Sequence, residues 1–169
     1  MLSAIPVYAA NENWKEKFAK VSDEYFDQVF FPYAPTNGTL VGYHQYDAQL
    51  EDYSRKNFDA EIAALKVFEK RIEAIYPDAV AADFVPRSDR KIVLANIRSQ
   101  LLTLETIRPW EKNADNYSST CANGAFTLME RKFASPDERL RSLVARERQM
   151  PVLLADARVN LKTPPRIFT

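Results

Sequence analysis

The sequence predicts an all-α protein, a bundle or array of about five to seven helices. Apolar residues recur at steps of three and four in several segments, which is the period of one face of an α-helix. Only 3 of the 169 residues are glycine, and no segment alternates apolar and polar residues over a useful length. The 10 prolines fall mostly between the periodic segments, where they mark helix ends. A chain of this length suits one domain.

The first helix is predicted from an apolar stripe that consists of Trp14, Phe18, Val21, Tyr25 and Val29. Asn11 or Asn13 is expected to cap its start, and Pro32 is expected to end it. The segment from Pro32 to Tyr53 shows no helical period and is predicted to be an irregular loop.

The second helix is expected to start near Ser54 and to stop at Pro77. Its buried stripe is predicted to comprise Phe58, Ile62, Leu65, Phe68, Ile72 and Ile75.

A third, central helix is predicted from a cap at Ser88 to Arg108, where Pro109 ends it. Trp110 is expected to pack back over the helix end. The residues predicted to face inward are Val93, Ile97, Leu101, Leu104 and Ile107, with Leu94 and Leu102 broadening the stripe.

Three further helical segments are predicted after a polar link. Phe126, Met129 and Phe133 mark a fourth helix, and Ser135 and Glu138 form a capping box for the next one. Its apolar face is predicted to be Leu140, Leu143 and Val144. Pro151 then indicates a kinked helix or two helices at an angle, continued by Val152, Leu153, Ala157 and Leu161.

The two ends of the chain carry further expectations. Residues 1–10 are apolar and small, and Val7-Tyr-Ala9 fits the pattern before a signal cleavage site, so this stretch is interpreted as the remnant of an export signal. The alternative is a frayed terminus. Residues 11–169 are predicted to form one helical domain, truncated at its C-terminus, because Thr163 to Thr169 resembles the lead-in to another helix.

Composition excludes several function classes. Lys and Arg total 23, as do Asp and Glu, and a net charge of zero argues against a nucleic-acid partner. No run approaches the ~20 apolar residues of a membrane span. Cys121 is the only cysteine, so an internal disulfide and a cysteine-based zinc site are excluded, and a small buried side chain is expected there.

No self-sufficient catalytic group of residues is visible. The only histidine, His44, lies close to Asp47, and this spacing favours a hydrogen-bonded structural pair over a metal site. The run Arg139, Arg141, Arg146 and Arg148 is interleaved with carboxylates, so it is interpreted as a solvated, ion-paired helix face rather than an anion site.

Aromatic residues are dense between Tyr25 and Tyr53. They are predicted to form a loop that folds over the first helix and closes the core, with a ligand-facing aromatic wall as the alternative. The residues named as candidates to line a cleft are Tyr43, His44, Tyr46 and Asp47.

Several short blocks, in order, resemble the bacterial "domain of unknown function 885" family. The first is Gly42-Tyr-His-Gln-Tyr-Asp-Ala-Gln-Leu50, and the resemblance extends over nearly the whole chain from about Trp14. The later blocks are Glu105–Glu111, Asn116–Ser118, Met129–Ala134, Glu138–Leu140, Ala145–Glu147, Gln149–Pro151, Ala157–Arg158 and Asn160–Pro165.

The resemblance implies the N-terminal helical region of a longer, exported, zinc-metallopeptidase-like protein. It implies that this chain forms a wall or lid of the substrate cleft, beside a C-terminal catalytic half, and that the substrate is a peptide. The expected location is the periplasm or the outside of the cell. It carries no catalytic, metal or cofactor residue onto this chain, so zinc is expected only in the full-length protein. The alternative is a complete small helical module for binding or scaffolding, with no enzymatic activity.

Overall fold

A computed structural model describes residues 7–75, 84–163 and 165, of which 7–13 and 84–86 are described by their backbone alone. The described part of the chain is helical and contains no strand, which confirms the predicted all-α class. Six helices in the described ranges have eleven residues or more, within the predicted number: α1 (Val7–Tyr25), α4 (Arg55–Glu73), α5 (Phe84–Leu101), α6 (Asp115–Glu130), α7 (Pro136–Glu147) and α8 (Met150–Asn160). The shorter segments are α2 (Phe31–Tyr33), α3 (Pro35–Val41), two π-helical segments (Phe26–Phe30 and Leu102–Ile107) and two 3-10 turns (His44–Tyr46 and Pro109–Glu111).

The main core lies between α1, α4 and α5, as their apolar stripes predicted. Leu65, Ile72 and Ile97 are fully buried at its centre. Burial of each such side chain stabilises the fold by roughly 1.5–3 kcal/mol. The other buried members of the core are Trp14, Phe18, Tyr25, Val29, Phe68, Ile75, Val93, Leu94 and Leu101, with Val21, Ile62 and Leu104 packed against it.

A second, smaller core joins the C-terminal helices to the segment before α4. It consists of Leu50, Tyr117, Leu153 and Ala157. Asn160 at the end of α8 donates hydrogen bonds to the Tyr53 carbonyl oxygen at 2.7 Å and to the Tyr117 hydroxyl at 3.2 Å. This core and these hydrogen bonds hold α6 and α8 against the segment that precedes α4.

The start and end of the first helix differ from the prediction. Asn11 and Asn13 lie inside α1, so neither caps it, and helical backbone continues through Pro32 to Tyr33. The π-helical segment Phe26–Phe30 comes directly before this proline. A π turn shifts the hydrogen bonds by one residue, which accommodates a ring that would otherwise clash with the carbonyl one turn back.

The prediction of an irregular loop from Pro32 to Tyr53 is wrong, because this segment contains α3 and a 3-10 turn. Helix α3 ends at Gly42, whose φ of 96° is the left-handed conformation that favours glycine. Gly38 lies against Tyr46, where an added Cβ would come within 2.7 Å of the Tyr46 ring. Helix α3 therefore contains small residues where a helix recognisable from its sequence would show periodic apolar residues, and it was not predicted.

The third helix also departs from its predicted limits. Ser88 lies inside α5, which already includes Phe84. Leu102 and Ile107, predicted to face inward, are 52% and 51% exposed. The π-helical segment Leu102–Ile107 breaks the 3.6-residue period. Residues spaced three and four apart therefore no longer share one face there, and the face predicted to point inward is wrong.

The predicted apolar faces of the fourth and fifth helices are wrong. Phe126 and Met129 are 61% and 64% exposed, and Phe133 lies beyond the end of α6. On α7, Leu140 and Val144 are exposed. Helix α6 instead buries Tyr117, Gly124 and Leu128, and the one buried residue of α7 is Arg146.

Two of the helix starts predicted from capping chemistry are confirmed. Ser54 caps α4 by accepting a hydrogen bond from the Asn57 amide. Ser135 and Glu138 form both halves of the predicted capping box of α7. Pro151 stands in the first turn of α8, so the chain forms two helices there.

Some predictions fall on residues outside the described part of the chain. These are Pro77 as the stop of α4, which ends at Glu73, and residues 1–6 of the export-signal interpretation. Most of the predicted further helix after Thr163 also lies there. The domain limits 1–10 and 11–169 stay a prediction.

Candidate functional site

The predicted pair of His44 and Asp47 forms a structural contact. His44 Nδ1 lies 3.1 Å from Asp47 Oδ2, and the imidazole stacks on Phe133 with 4.1 Å between ring centroids. This confirms the interpretation as a hydrogen-bonded pair. Among the described residues, no three His, Cys, Asp or Glu side chains lie together in a way that could hold a metal ion.

The neighbouring tyrosines pack on the end of the first helical stretch. The ring centroid of Phe31 is 4.5 Å from that of Tyr43 and 5.9 Å from that of Tyr46. This confirms that the aromatic segment folds back over the first helix. Tyr43, His44, Tyr46 and Asp47 are absent from the walls of the large cleft described next, so their predicted cleft-lining role is not confirmed here and stays a prediction.

A cleft of about 930 Å³ lies between two groups of helices. One wall comes from α4, α5 and the π-helical segment Leu102–Ile107, and the other from α3 and α6. Leu40 and Phe126 line it and are both exposed, so the cleft opens to solvent beside them. Its volume falls in the range of ligand pockets.

The polar lining is dominated by carboxamides. Five of them face the cleft, from both walls: Asn37, Asn96, Gln100, Asn116 and Asn123. Each carboxamide offers both donors and an acceptor, which is the hydrogen-bonding pattern of a peptide group. Asn96 and Gln100 are held in place on α5 through the Tyr25 hydroxyl, which donates to Asn96 Oδ1 and accepts from Gln100 Nε2, each at 2.9 Å.

Aromatic rings form the apolar part of the lining. Phe58 stacks on Trp110 with 5.1 Å between ring centroids and packs against Tyr53 in a tilted arrangement at 5.5 Å. The Trp110 indole donates to the Leu104 carbonyl oxygen at 3.1 Å, which confirms that this residue packs back over the end of the α5 stretch. The π-helical segment thus positions both Leu104 and Trp110 at the cleft.

Two carboxylates lie among these groups: Glu51 is buried and Glu61 is half-buried. Burial raises the pKa of Glu61 to about 7, and no other cause contributes. Burial also raises the pKa of Glu51, opposed chiefly by its hydrogen bonds from Thr36. Glu51 Oε1 accepts from both the backbone amide and the hydroxyl of Thr36, whereas Oε2 is buried with no hydrogen-bond partner in the described part of the protein.

A buried arginine holds the α3–α6 wall of the cleft in place. Arg146 on α7 donates from Nη1 to the Gly124 carbonyl oxygen at 2.7 Å and from Nη2 to Thr39 Oγ1 at 2.6 Å. It is fully buried, so its predicted place on a solvated face is wrong. Burial lowers the pKa of its guanidinium, with Glu51 and Asp47 opposing the shift. Another residue of the run, Arg139, donates to the carbonyl oxygens of Leu128 and Met129, at 2.9 Å each.

Glu61 and Arg146 were missed as site residues. Glu61 stands three residues after Phe58 and four before Leu65, so it lies on the same helical face as the buried stripe. A carboxylate in that position is a signal that sequence reasoning could have used. For Arg146 the mixed charges of the arginine run concealed the one buried member.

Cys121 is partly buried and packs against the second core. Burial raises the pKa of its thiol, which disfavours the nucleophilic thiolate. Within the described ranges, no helix is long and apolar enough to cross a membrane.

Comparison with known proteins gives one positive result. No curated protein and no solved structure matches the chain. A family described as "Bacterial protein of unknown function (DUF885)" matches residues 35–169, which include every residue that lines the cleft except Tyr33 and Ala34. The chain therefore belongs to the DUF885 family of bacterial proteins.

Proposed function

We propose that this chain is the substrate-binding helical region of an exported, zinc-metallopeptidase-like protein, and that the cleft binds part of a peptide. The observation that carries the proposal is the pairing of five carboxamides with an aromatic floor inside one cleft of about 930 Å³. Carboxamides match the donors and acceptors of a peptide backbone, and aromatic rings accommodate its side chains.

The catalytic chemistry belongs to another part of the full-length protein in this proposal. The described residues do not fit a zinc site, because the single histidine is paired with Asp47 and no third donor of the right type joins them. The chain supplies binding and orientation, and it acts in the periplasm or outside the cell.

Exposed apolar side chains support a partner of large apolar surface. Leu140 and Val144 are four residues apart on α7, and Val152 and Val159 are seven apart on α8, so each pair lies on one helical face. All four are exposed in the isolated chain. In our proposal the catalytic half of the same polypeptide covers them.

Binding and hydrolysis of fluorescent peptides test the proposal together. The isolated chain should bind a mixed tetrapeptide library in fluorescence anisotropy and should leave the peptides intact after prolonged incubation with zinc. A bulky side chain at Ser99, which lines the cleft on α5, should block binding in Ser99→Trp. Ala155→Trp, at an exposed position of α8 outside the cleft, is the matched control.

Peptide binding that survives Ser99→Trp would place the peptide elsewhere and would overturn the assignment of the cleft. Zinc that remains bound after dialysis, with hydrolysis lost in His44→Ala, would overturn the proposal that the catalytic residues lie outside this chain. An absence of any peptide binding would favour a scaffold module.

A further inference from the structure

Glu61 is a carboxylate without a partner inside the cleft. It lies on α4, three residues after Phe58, and both side chains line the cleft. Among the described residues, Glu61 forms no ion pair and its carboxylate accepts no hydrogen bond, in contrast to Glu69 and Glu73 of the same helix, which pair with Arg98. Glu61 is half-buried, and a carboxylate that is partly removed from water gains from a partner of opposite charge, because desolvation of an unpaired charge is costly.

Glu51 is a second carboxylate with unused hydrogen-bonding capacity. The residue is 9% exposed and lines the cleft, and its Oε2 atom has no partner among the described residues. The nearby guanidinium of Arg146 points its Nη atoms at Gly124 and Thr39 and forms no ion pair with Glu51. A ligand that donates hydrogen bonds would satisfy this oxygen.

The charged lining of the cleft is mostly acidic. It comprises three glutamates and one arginine: Glu51, Glu61, Glu130 and Arg131. Arg131 is exposed and donates to the Leu40 carbonyl oxygen, so it lies at the open side of the cleft. The positive charge of Arg146 acts on Glu51 and opposes the rise of its pKa, whereas Glu61 has no ion pair among the described residues. The field inside the cleft therefore favours a cation.

Aromatic rings line the same cleft as Glu51 and Glu61. Burial chiefly raises the pKa of the Tyr53 and Tyr33 phenols, and the charge of Glu61 adds to both shifts. Tyr33 and Tyr53 both line the cleft. Tyrosine rings next to carboxylates form the usual surroundings of a bound organic cation.

We propose that the inner part of the cleft is a subsite for a protonated primary amine, bound by the carboxylate of Glu61 in a lining that also contains Glu51, Tyr33 and Tyr53. An ammonium group has three N–H donors, which suits a carboxylate and neighbouring carboxamide oxygens. Combined with the proposed function, on which this identification of the occupant rests, the amine belongs to a peptide. It is either the amino terminus or a lysine side chain.

Three versions of one tetrapeptide test the subsite. They are Ala-Phe-Ala-Ala with a C-terminal dye, its N-acetylated form, and the acetylated form with lysine in the first position. In anisotropy titrations at pH 7.5, the free-amine peptide should bind about tenfold more tightly than the acetylated one, since charge-assisted hydrogen bonds are among the stronger ones. Tight binding of the acetylated lysine peptide would assign the subsite to side-chain amines.

The variants assign the preference to individual residues. Glu61→Gln should remove the difference between free and acetylated peptides, and Glu51→Gln should reduce it while its amide oxygen still accepts from Thr36. Glu147→Gln, exposed on α7 and outside the cleft, should leave the difference unchanged. Circular dichroism verifies that each variant is folded.

The outcomes separate the subsite from the peptide function. Equal binding of free and acetylated peptides by the wild type would overturn the subsite and leave the peptide cleft standing. Binding of phenethylamine that depends on Glu61, without binding of any peptide, would support the subsite and overturn the peptide function. If neither phenethylamine nor any peptide binds, both proposals are wrong.

Discussion

Arg146 on α7 donates a hydrogen bond of 2.7 Å to the carbonyl oxygen of Gly124 in the middle of α6. The same guanidinium reaches Thr39 on α3, so one side chain joins three helices behind the cleft. An added Cβ at Gly124 would meet Leu50 Cδ1 at 2.8 Å, which shows how closely α6 approaches this region. The α3–α6 wall thus depends on a fully buried polar residue.

Removal of this arginine should destabilise the protein. Arg146→Met loses the bonds to Gly124 and Thr39 and leaves both acceptors buried, at a cost of about 2–4 kcal/mol. Chemical denaturation measures the free energy of unfolding. Arg148→Met, two residues away and exposed, should change it by less than about 0.5 kcal/mol. Equal effects of the two substitutions would contradict the role assigned to Arg146.

The main core gives a second prediction with a control on the same helix. Ile97→Ala removes a fully buried side chain and should cost about 2–5 kcal/mol. Ile92→Ala removes one that is 64% exposed, so its effect should stay within about 0.5 kcal/mol. Thermal and urea denaturation measure both. An Ile97→Ala effect below about 0.5 kcal/mol would place this residue at the surface instead.

Glu61 should make stability fall as pH rises. Its pKa is about 7 in the folded protein against an ordinary value of 4.5, so between these values the folded state binds more protons than the unfolded state. Stability that is present below pH 4.5 is therefore lost progressively towards pH 7. Burial chiefly raises the pKa values of Tyr25, Tyr33 and Tyr53, with a smaller contribution from Glu61, so these phenols stay neutral throughout this window. Burial of Glu51 adds a slope of the same sign.

The variant Glu61→Gln isolates this contribution. It should equal the wild type in stability at pH 4 and exceed it at pH 8 by about 1–3 kcal/mol. Urea denaturation at a series of pH values measures the difference. Glu147→Gln, exposed on α7, should show no such divergence. A Glu61→Gln variant that is less stable than the wild type at pH 8 would mean that the carboxylate has a favourable partner.

Some caps and core stripes were predicted correctly because both depend on local chemistry, although Asn11, Asn13 and Ser88, also expected as caps, lie inside helices. Ser54, Ser135 and Glu138 each act as their residue type and spacing indicated, and Leu65, Ile72 and Ile97 are buried as their period required. The cleft could not be predicted from the sequence, because its walls come from segments far apart in the chain. The buried face of α7 could not be predicted, since its one buried residue is an arginine that donates hydrogen bonds to Gly124 and Thr39.

The exposed valines of α8 test the proposed contact with a catalytic half. Val152 and Val159 are 65% and 71% exposed and lie on one face. The isolated chain should bind a hydrophobic dye, and the double substitution Val152→Gln and Val159→Gln should reduce the dye signal while stability changes by less than about 1 kcal/mol. Matching substitutions at the exposed Arg148 and Arg158 are the control. Unchanged dye binding in the valine variant would place the apolar contact elsewhere.

Trp110 gives the most direct measurement of peptide binding in the cleft. The chain has two tryptophans, Trp14 in the main core and Trp110 in the cleft lining, so Trp14→Phe leaves one reporter at the proposed site. Titration of this variant with the free-amine tetrapeptide should change the Trp110 emission saturably, with the same dissociation constant as the anisotropy. Peptide that binds by anisotropy and leaves the Trp110 emission unchanged would contradict binding in this cleft.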